Sequence, residues 1–166
     1  MHKIYLALGS NLGDRYANLQ AAIHTLPQDV LIQEVSKIYE TQPWGFTDQP
    51  PFLNMVLKGE TRMGAKALLG AVKRLETRLG RTTSFQYGPR LIDIDILFFD
   101  ELVLDGLGLT VPHPHLHERA FVLVPLMDLA PELLHPVLKK SVREMLAGVD
   151  TTGVKPYEHT DRPVEK

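Results

Sequence analysis

The stretch Gly88-Pro89-Arg90-Leu91-Ile92-Asp93-Ile94-Asp95-Ile96-Leu97-Phe98-Phe99-Asp100 is an apolar strand pattern that carries two acids, Asp93 and Asp95, two positions apart. Side chains alternate across a strand, so both acids share one face, with Leu91 and Leu97 beside them. The opposite face is predicted to be apolar and to comprise Ile92, Ile94, Ile96 and Phe98. A rise of about 3.3 Å per residue separates the Cα atoms of the two acids by about 6.6 Å.

Two carboxylates so close together both ionise readily only when a cation lies between them. An all-oxygen pair suits Mg²⁺, which keeps several waters and usually shares its site with substrate phosphates. Arg90 lies just before the acids, as expected if a phosphate bridges guanidinium and metal. The alternative is a half-exposed strand whose solvent face is merely acidic. Leu91 and Leu97 argue against it, because they make that face partly apolar.

Composition restricts the class of protein. The chain has 166 residues, a formal net charge of -2 and no cysteine, which excludes disulfides, thiolate chemistry and zinc–cysteine sites. We expect one domain over residues 1–149 and a polar C-terminal tail, extended or frayed, over residues 150–166. The charge disfavours nucleic acid as a partner, and the short apolar run at the N-terminus predicts neither a signal peptide nor a membrane span. A cytoplasmic monomer is the expectation.

Hydrophobic periodicity predicts a mixed fold. A strand over residues 4–8 breaks at a turn over residues 9–14, in which Asp14 caps a helix that contains Tyr16, Leu19, Ile23 and Leu26. Strands are predicted over residues 30–40 and 52–58, separated by an eleven-residue loop. The next helix ends at Gly80 and has an apolar stripe of Ala65, Leu68, Leu69, Val72, Leu75 and Leu79.

The acidic strand follows this second helix. After it we expect a short hairpin that turns at Asp105-Gly106, a helix from about Glu118, and a last helix from about Ser141 to Leu146. The order strand, helix, strand, strand, helix, strand is that of the ferredoxin-like split βαβ unit. The predicted fold class is therefore α+β, a ferredoxin-like sandwich in which helices flank a mostly antiparallel sheet.

Three runs of sequence resemble one known family. They are Leu8-Gly9-Ser10-Asn11-Leu12-Gly13, the run from Gly88 through Leu97, and the run from Val111-Pro112-His113 through Arg119 and Phe121. Together, in this order, they resemble the 6-hydroxymethyl-7,8-dihydropterin pyrophosphokinases of the folate pathway, over the chain to about residue 146. The resemblance implies a ferredoxin-like enzyme that transfers diphosphate from MgATP, the co-substrate, to the pterin hydroxymethyl group and releases AMP.

The same resemblance implies roles for individual residues. Asp93 and Asp95 match the ligands of two Mg²⁺ ions, and Arg81 and Arg90 match catalytic arginines. The residues that match nucleotide-binding positions are Lys73, Glu76, Thr110, His113 and Arg119. The residues that match the pterin-binding surface are Thr41, Gln42, Pro43, Trp44, Phe52, Asn54, Tyr87 and Phe121.

Some positions depart from the family pattern. Thr83, Gln86 and Tyr87 stand where many members carry an arginine, a basic residue and a tryptophan, so this loop is less basic. Lys73 stands where a glutamine is common, and it could restore positive charge near the phosphates.

Alternatives remain open at this point. Trp44, Phe52 and Phe121 could be core aromatics. The histidines of His113-Pro114-His115-Leu116-His117 could bind a transition metal, although no other soft ligand is nearby in the sequence. A different Mg²⁺-dependent phosphohydrolase or nucleotidyltransferase would use the same acids without the pterin pocket. A noncatalytic small-molecule or RNA-binding module would need no metal.

Overall fold

The computed structural model describes residues 1–42, 48–80, 91–106 and 108–159. Its strands are β1 (His2–Ser10), β2 (Leu31–Val35), β3 (Tyr39–Thr41), β4 (Phe52–Thr61), β5 (Asp93–Phe99), β6 (Leu104–Gly106), β7 (Leu109–Val111) and β8 (Val154–Pro156). Its helices are α1 (Arg15–Thr25), α2 (Ala65–Arg78), α3 (Ala120–Leu129) and α4 (Val142–Ala147), with short 3₁₀ turns at Leu26–Gln28 and Leu116–Glu118. No helix of these described ranges is long and apolar enough to cross a membrane.

The main sheet has the order β5-β1-β4-β3-β8, and β2 also pairs with β4. Every strand pair described in it is antiparallel. Since β1 and β2 both pair with β4, the unit β1-α1-β2 is a split βαβ, and β4-α2-β5 forms a second one around β1. The predicted ferredoxin-like α+β fold is confirmed.

Helices cover both faces of the sheet. On one face, α1 and α2 pack over a core that includes Leu6, Leu19, Leu57, Leu68 and Ile94. On the other face, α3 and α4 pack over a second core that includes Tyr5, Val56, Leu116, Leu123 and Met145. The central strand β4 is therefore buried on both sides, as the adjacent Met55 and Val56 show.

Two predicted boundaries are wrong in the middle of the chain. The single strand expected over residues 30–40 is two strands, β2 and β3, because Ser36 interrupts it: its hydroxyl accepts a hydrogen bond from Val56 N. The hairpin does not turn at Asp105-Gly106, since both residues pair within it. The turn follows them, at Gly108, whose φ of 86° suits a residue without a Cβ.

A β-bulge corrects the predicted faces of β5. Tyr5 pairs with Phe98 and Leu6 pairs with Ile96, so Leu97 is an extra residue without a partner on β1. Beyond the bulge the alternation shifts by one residue. Phe98 therefore packs with Leu97 in the core under α3 and α4, and not with Ile94 and Ile96 as predicted.

The helix ends follow from local capping. Asp14 accepts a hydrogen bond from Ala17 N, which confirms the predicted cap of α1. Ser141 and Glu144 form a capping box at the start of α4. α3 begins at Ala120, two residues later than expected, because the 3₁₀ turn occupies Leu116–Glu118. The sequence did not predict β8, which lies within the expected polar tail.

Candidate active site

The two acids of β5 lie on the sheet face that α3 covers. Asp95 pairs with Ala7 and Asp93 pairs with Gly9 of β1. Both carboxylates are half-buried, and the Asp95 side chain is 36% exposed. The fold therefore does not support the alternative that this face is an ordinary solvent-exposed acidic surface.

The protonation of Asp95 is strongly perturbed. Burial, and then the negative charge of Asp93, raise the pKa of Asp95 to about 7. The positive charges of Arg119 and Lys73 act in the opposite direction, and Glu76 adds a small raising effect. Two carboxylates that resist joint ionisation form a site that a divalent cation would stabilise.

Glu76 supports β5 from α2. Its side chain is 1% exposed, Oε2 accepts a hydrogen bond of 2.8 Å from Ile94 N, and Oε1 lies 3.3 Å from Lys73 Nζ. Ile94 stands between the two acids, so Glu76 fixes the backbone from which both project. The sequence predicted a nucleotide contact for Glu76, which stays a prediction. In the sequence, Glu76 lies beside the apolar stripe of α2. That position was the signal that its side chain would be buried and would support the backbone of a neighbouring element.

His113 lies beside Asp95. Its Nε2 is 3.9 Å from Asp95 Oδ2, and its backbone N–H donates to Leu97 O at 3.0 Å. Burial, followed by the charge of Arg119, lowers the pKa of His113 to about 4, so the ring is neutral near pH 7. Because Nδ1 accepts from His115 N at 3.3 Å, the proton of the neutral ring belongs on Nε2, which faces the acids.

Arg119 completes the charged part of the site at the start of α3. Its positive charge lowers the pKa of both Asp95 and His113. The guanidinium carbon also lies 5.5 Å from the ring centre of Phe121, a cation–π distance. One cation therefore links the acids to the predicted pterin surface.

The predicted pterin residues of β3 and β4 also meet on this face. Asn54 pairs with Gly9 on one side and Tyr39 on the other. Its Nδ2 donates to Thr41 Oγ1 at 3.1 Å. Phe52 is half-buried next to this pair, and Gln42 is exposed just after β3. The ring of Phe52 and the amide of Asn54 therefore lie on one surface, as predicted.

Other predicted site residues lie apart or outside the described ranges. Thr110 donates its hydroxyl to Asp105 at 3.0 Å within the β6–β7 hairpin, and no described contact joins it to the acids. Pro43, Trp44, Arg81, Tyr87 and Arg90 lie outside the described residues.

The described residues contain no group of three or more histidine, aspartate or glutamate side chains placed to hold a metal. His115 and His117 instead contact Glu118, at 3.5 and 3.4 Å. Within the described ranges, no further ligand therefore joins these histidines in a metal-binding cluster. Asp93 and Asp95 would supply two ligands, and a Mg²⁺ site normally completes its shell with waters and substrate phosphates.

Paired acids and a guanidinium on one face of a sheet are groups that suit Mg²⁺-dependent phosphoryl transfer. Residues 5–131 match the family described as 7,8-dihydro-6-hydroxymethylpterin-pyrophosphokinase. The chain belongs to this family, and the predicted class of enzyme, a pyrophosphokinase, is confirmed.

Individual relatives agree with this match. The chain is 42% identical over 144 residues to a 2-amino-4-hydroxy-6-hydroxymethyldihydropteridine pyrophosphokinase of Aquifex aeolicus, covering 87% of this chain and 90% of that protein. It is 40% identical over 160 residues to a protein of the same name from Methylorubrum extorquens, covering 95% and 100%. A Plasmodium falciparum HPPK-DHPS crystal structure has a TM-score of 0.74 at 18% identity, which shows a shared fold. That match covers 89% of this chain but only 42% of the Plasmodium chain.

Proposed function

We propose that this protein transfers the diphosphoryl group of MgATP to the hydroxymethyl group of 6-hydroxymethyl-7,8-dihydropterin in folate biosynthesis and releases AMP. The observation that carries the proposal is the row Asp93, Gly9, Asn54 across three neighbouring strands. This row brings Asp93, the proposed metal ligand, and Asn54, the proposed pterin contact, onto one face of the sheet. The names of the relatives supply the identity of the pterin.

The reaction needs positioning and positive charge more than covalent help from the protein. The pterin hydroxyl oxygen forms a bond to the β-phosphorus, and the bond from that phosphorus to the α–β bridging oxygen breaks. AMP leaves with the bridging oxygen, and the hydroxyl proton passes to solvent. Arg119 would stabilise the negative charge that spreads over the phosphates, and the Nε2–H of His113 would donate to a phosphate oxygen.

Asp93 and Asp95 would hold two Mg²⁺ ions as part of this proposal. When bound, the metal ions would neutralise charge on the phosphates and on the attacking and leaving oxygens. The donor set suits Mg²⁺, because both protein ligands are hard carboxylate oxygens. Lys73 is exposed beside Glu76 and would contact the phosphates of the nucleotide.

The remaining assignments extend the proposal from the sequence. Arg81 and Arg90 would add positive charge during transfer, and Pro43, Trp44 and Tyr87 would contact the pterin together with Thr41, Gln42, Phe52, Asn54 and Phe121. Glu76, Thr110, His113 and Arg119 would form the nucleotide side. A monomeric state and a cytoplasmic location are likewise proposed from composition.

The nucleotide product tests the reaction. Incubation with MgATP and 6-hydroxymethyl-7,8-dihydropterin should yield AMP in step with pterin consumption, because attack occurs at the β-phosphorus. Asp95→Asn should yield no AMP, since it removes a metal ligand, whereas Asp29→Asn, an exposed acid after α1, should behave as wild type. Accumulation of ADP, or full turnover in magnesium-free buffer with EDTA, would show that the proposal is wrong.

A further inference from the structure

Asp128 is an exposed residue in the last turn of α3 that contacts the segment around the start of β3. Its Oδ2 accepts a hydrogen bond of 2.8 Å from the hydroxyl of Tyr39 and one of 3.2 Å from the backbone N–H of Lys37. These residues lie about ninety positions before Asp128 in the chain, so the contact forms only when α3 packs on the sheet. One carboxylate oxygen therefore joins the end of α3 to the start of β3.

The Tyr39 hydroxyl is a well-defined donor in this contact. Tyr39 is 7% exposed, and burial, followed by the hydrogen bond to Asp128, raises the pKa of Tyr39 to about 12. The hydroxyl is therefore protonated at neutral pH and donates to the carboxylate. Hydrogen bonds to a charged acceptor are stronger than those between neutral groups.

Tyr39 also belongs to the surface on which we place the pterin. It pairs directly with Asn54 on β4, and Thr41, two residues further along β3, shares its face of the sheet. Thr41 Oγ1 accepts the hydrogen bond of 3.1 Å from Asn54 Nδ2. Because β3 has only three residues, a shift of Tyr39 moves Thr41, and through it the Asn54 amide.

The other partner in the contact is the helix that carries Phe121. Phe121 is the second residue of α3 and Asp128 is the ninth, so at a rise of 1.5 Å per residue about 10.5 Å of helix separates them. α3 therefore begins beside the proposed site and ends at β3. The distance from Phe121 to the hydrogen-bonded pair of Thr41 and Asn54 depends on how α3 is fixed to β3, and Asp128 supplies a hydrogen-bonded contact between these elements.

We infer that Asp128 is a positioning residue for the pterin: by holding Tyr39, it sets the spacing between Phe121 on α3 and the Thr41–Asn54 pair on the sheet. This inference rests on the proposed function and extends it to a residue that does not contact the substrate. A flat ring that fits between two surfaces is sensitive to their spacing, because dispersion contacts weaken steeply once a gap opens.

The test is a double-mutant cycle of Asp128→Ala and Tyr39→Phe. 6-Hydroxymethyl-7,8-dihydropterin is titrated by calorimetry into protein saturated with a nonhydrolysable MgATP analogue, and the analogue is titrated separately into the free protein. Each single variant should raise the pterin Kd about fivefold or more and leave the Kd of the analogue within about twofold of wild type. The double variant should bind the pterin no more weakly than Asp128→Ala does, because both changes remove the same contact.

Two further variants separate this role from general effects of charge and packing. Asp128→Asn keeps an oxygen that accepts from Tyr39 and Lys37, so its pterin Kd should stay within about twofold of wild type. Glu132→Ala is the matched control, since it removes an exposed acid that follows α3 and pairs with Arg143 at 3.0 Å. It should change neither Kd.

Each other result has a definite meaning. A pterin Kd unchanged in Asp128→Ala would overturn the inference, while wild-type pterin binding would leave the proposed function standing. Absence of pterin binding by the wild-type protein would overturn both. Equal weakening of pterin and analogue, additive effects in the double variant, or an Asp128→Asn as weak as Asp128→Ala would also overturn the inference. If Asp128→Ala lost its thermal unfolding transition, Tyr39→Phe would decide by the same criteria.

Discussion

At the scale of single residues, Asp95 has a perturbed pKa that bears on its proposed role as a metal ligand. Its pKa of about 7 lies well above that of an unfolded aspartate, because of burial and the neighbouring Asp93. Between about pH 4 and pH 7 the folded metal-free protein therefore binds more protons at Asp95 than the unfolded chain does. The stability that this protonation contributes is complete below pH 4 and is lost as the pH rises through 7.

We predict that Mg²⁺ competes with this proton. The apparent Mg²⁺ affinity should rise with pH up to about 7 and then level off. At limiting Mg²⁺, the acid limb of kcat/KM should therefore lie near pH 7, and saturating Mg²⁺ should shift it to lower pH. The measurement is a set of pH–rate profiles at several Mg²⁺ concentrations.

His113 should not contribute a second limb there, because its pKa of about 4 keeps it neutral. As a control, metal-free Asp95→Asn should have a higher melting temperature than wild type at pH 8 and a smaller difference at pH 5. If the pH of the acid limb does not change with the Mg²⁺ concentration, the proposed assignment of Asp95 as a ligand is wrong.

At the scale of elements, the strand β5 is an edge strand that α2 supports. An edge strand leaves backbone N–H groups without partners from the sheet. Glu76 accepts the N–H of Ile94, between the two acids, at a position where water has almost no access. The geometry of both acids therefore depends on a side chain from another element.

We predict that Glu76→Ala lowers the free energy of unfolding by about 1–3 kcal/mol, because it removes a buried hydrogen-bond acceptor. It should also weaken Mg²⁺ binding and lower kcat while leaving the pterin Kd near its wild-type value. Glu76→Gln keeps an oxygen acceptor for Ile94 N and should retain most of the stability. The measurements are urea unfolding and steady-state kinetics at varied Mg²⁺.

Lys66→Ala, exposed on the same helix, is the matched control and should change neither quantity. If Glu76→Ala and Glu76→Gln lose the same amount of stability, the hydrogen bond to Ile94 is not what Glu76 provides.

At the scale of the whole molecule, the segment over residues 154–159 contacts β3 and the start of α1. β8 pairs with β3, the Tyr157 ring lies 5.8 Å from the Arg15 guanidinium carbon, and His159 stacks on Tyr16 at 3.7 Å. Arg15 in turn donates to Glu40 and to Pro51 O. The C-terminal segment therefore supports β3 and the start of β4, where the predicted pterin residues Thr41 and Phe52 lie.

We predict that Tyr157→Ala lowers the free energy of unfolding by about 1–2 kcal/mol, because the ring packs against the core and against Arg15. KM for the pterin should rise more than KM for MgATP, since the C-terminal segment supports the strands that carry the proposed pterin residues. The neighbouring Glu158 is exposed, so Glu158→Ala is the control. Equal changes in both KM values would indicate a general loss of folding.

The sequence by itself determined the strand–helix order of the split βαβ unit and the ferredoxin-like class, because hydrophobic periodicity and helix caps are local properties of the chain, and its three motifs indicated the family by resemblance. Only the tertiary structure decided the rest. The bulge at Leu97 moved Phe98 to the other core, and strand pairing placed Gly9 between Asp93 and Asn54. Burial on α2 gave Glu76 its hydrogen bond to Ile94. The expected polar tail contains β8, which pairs with β3 and gives partners to the backbone groups at that edge of the sheet. The tail sequence does not indicate this pairing. These features depend on contacts between residues far apart in the chain, and such contacts leave no local pattern from which they could be predicted.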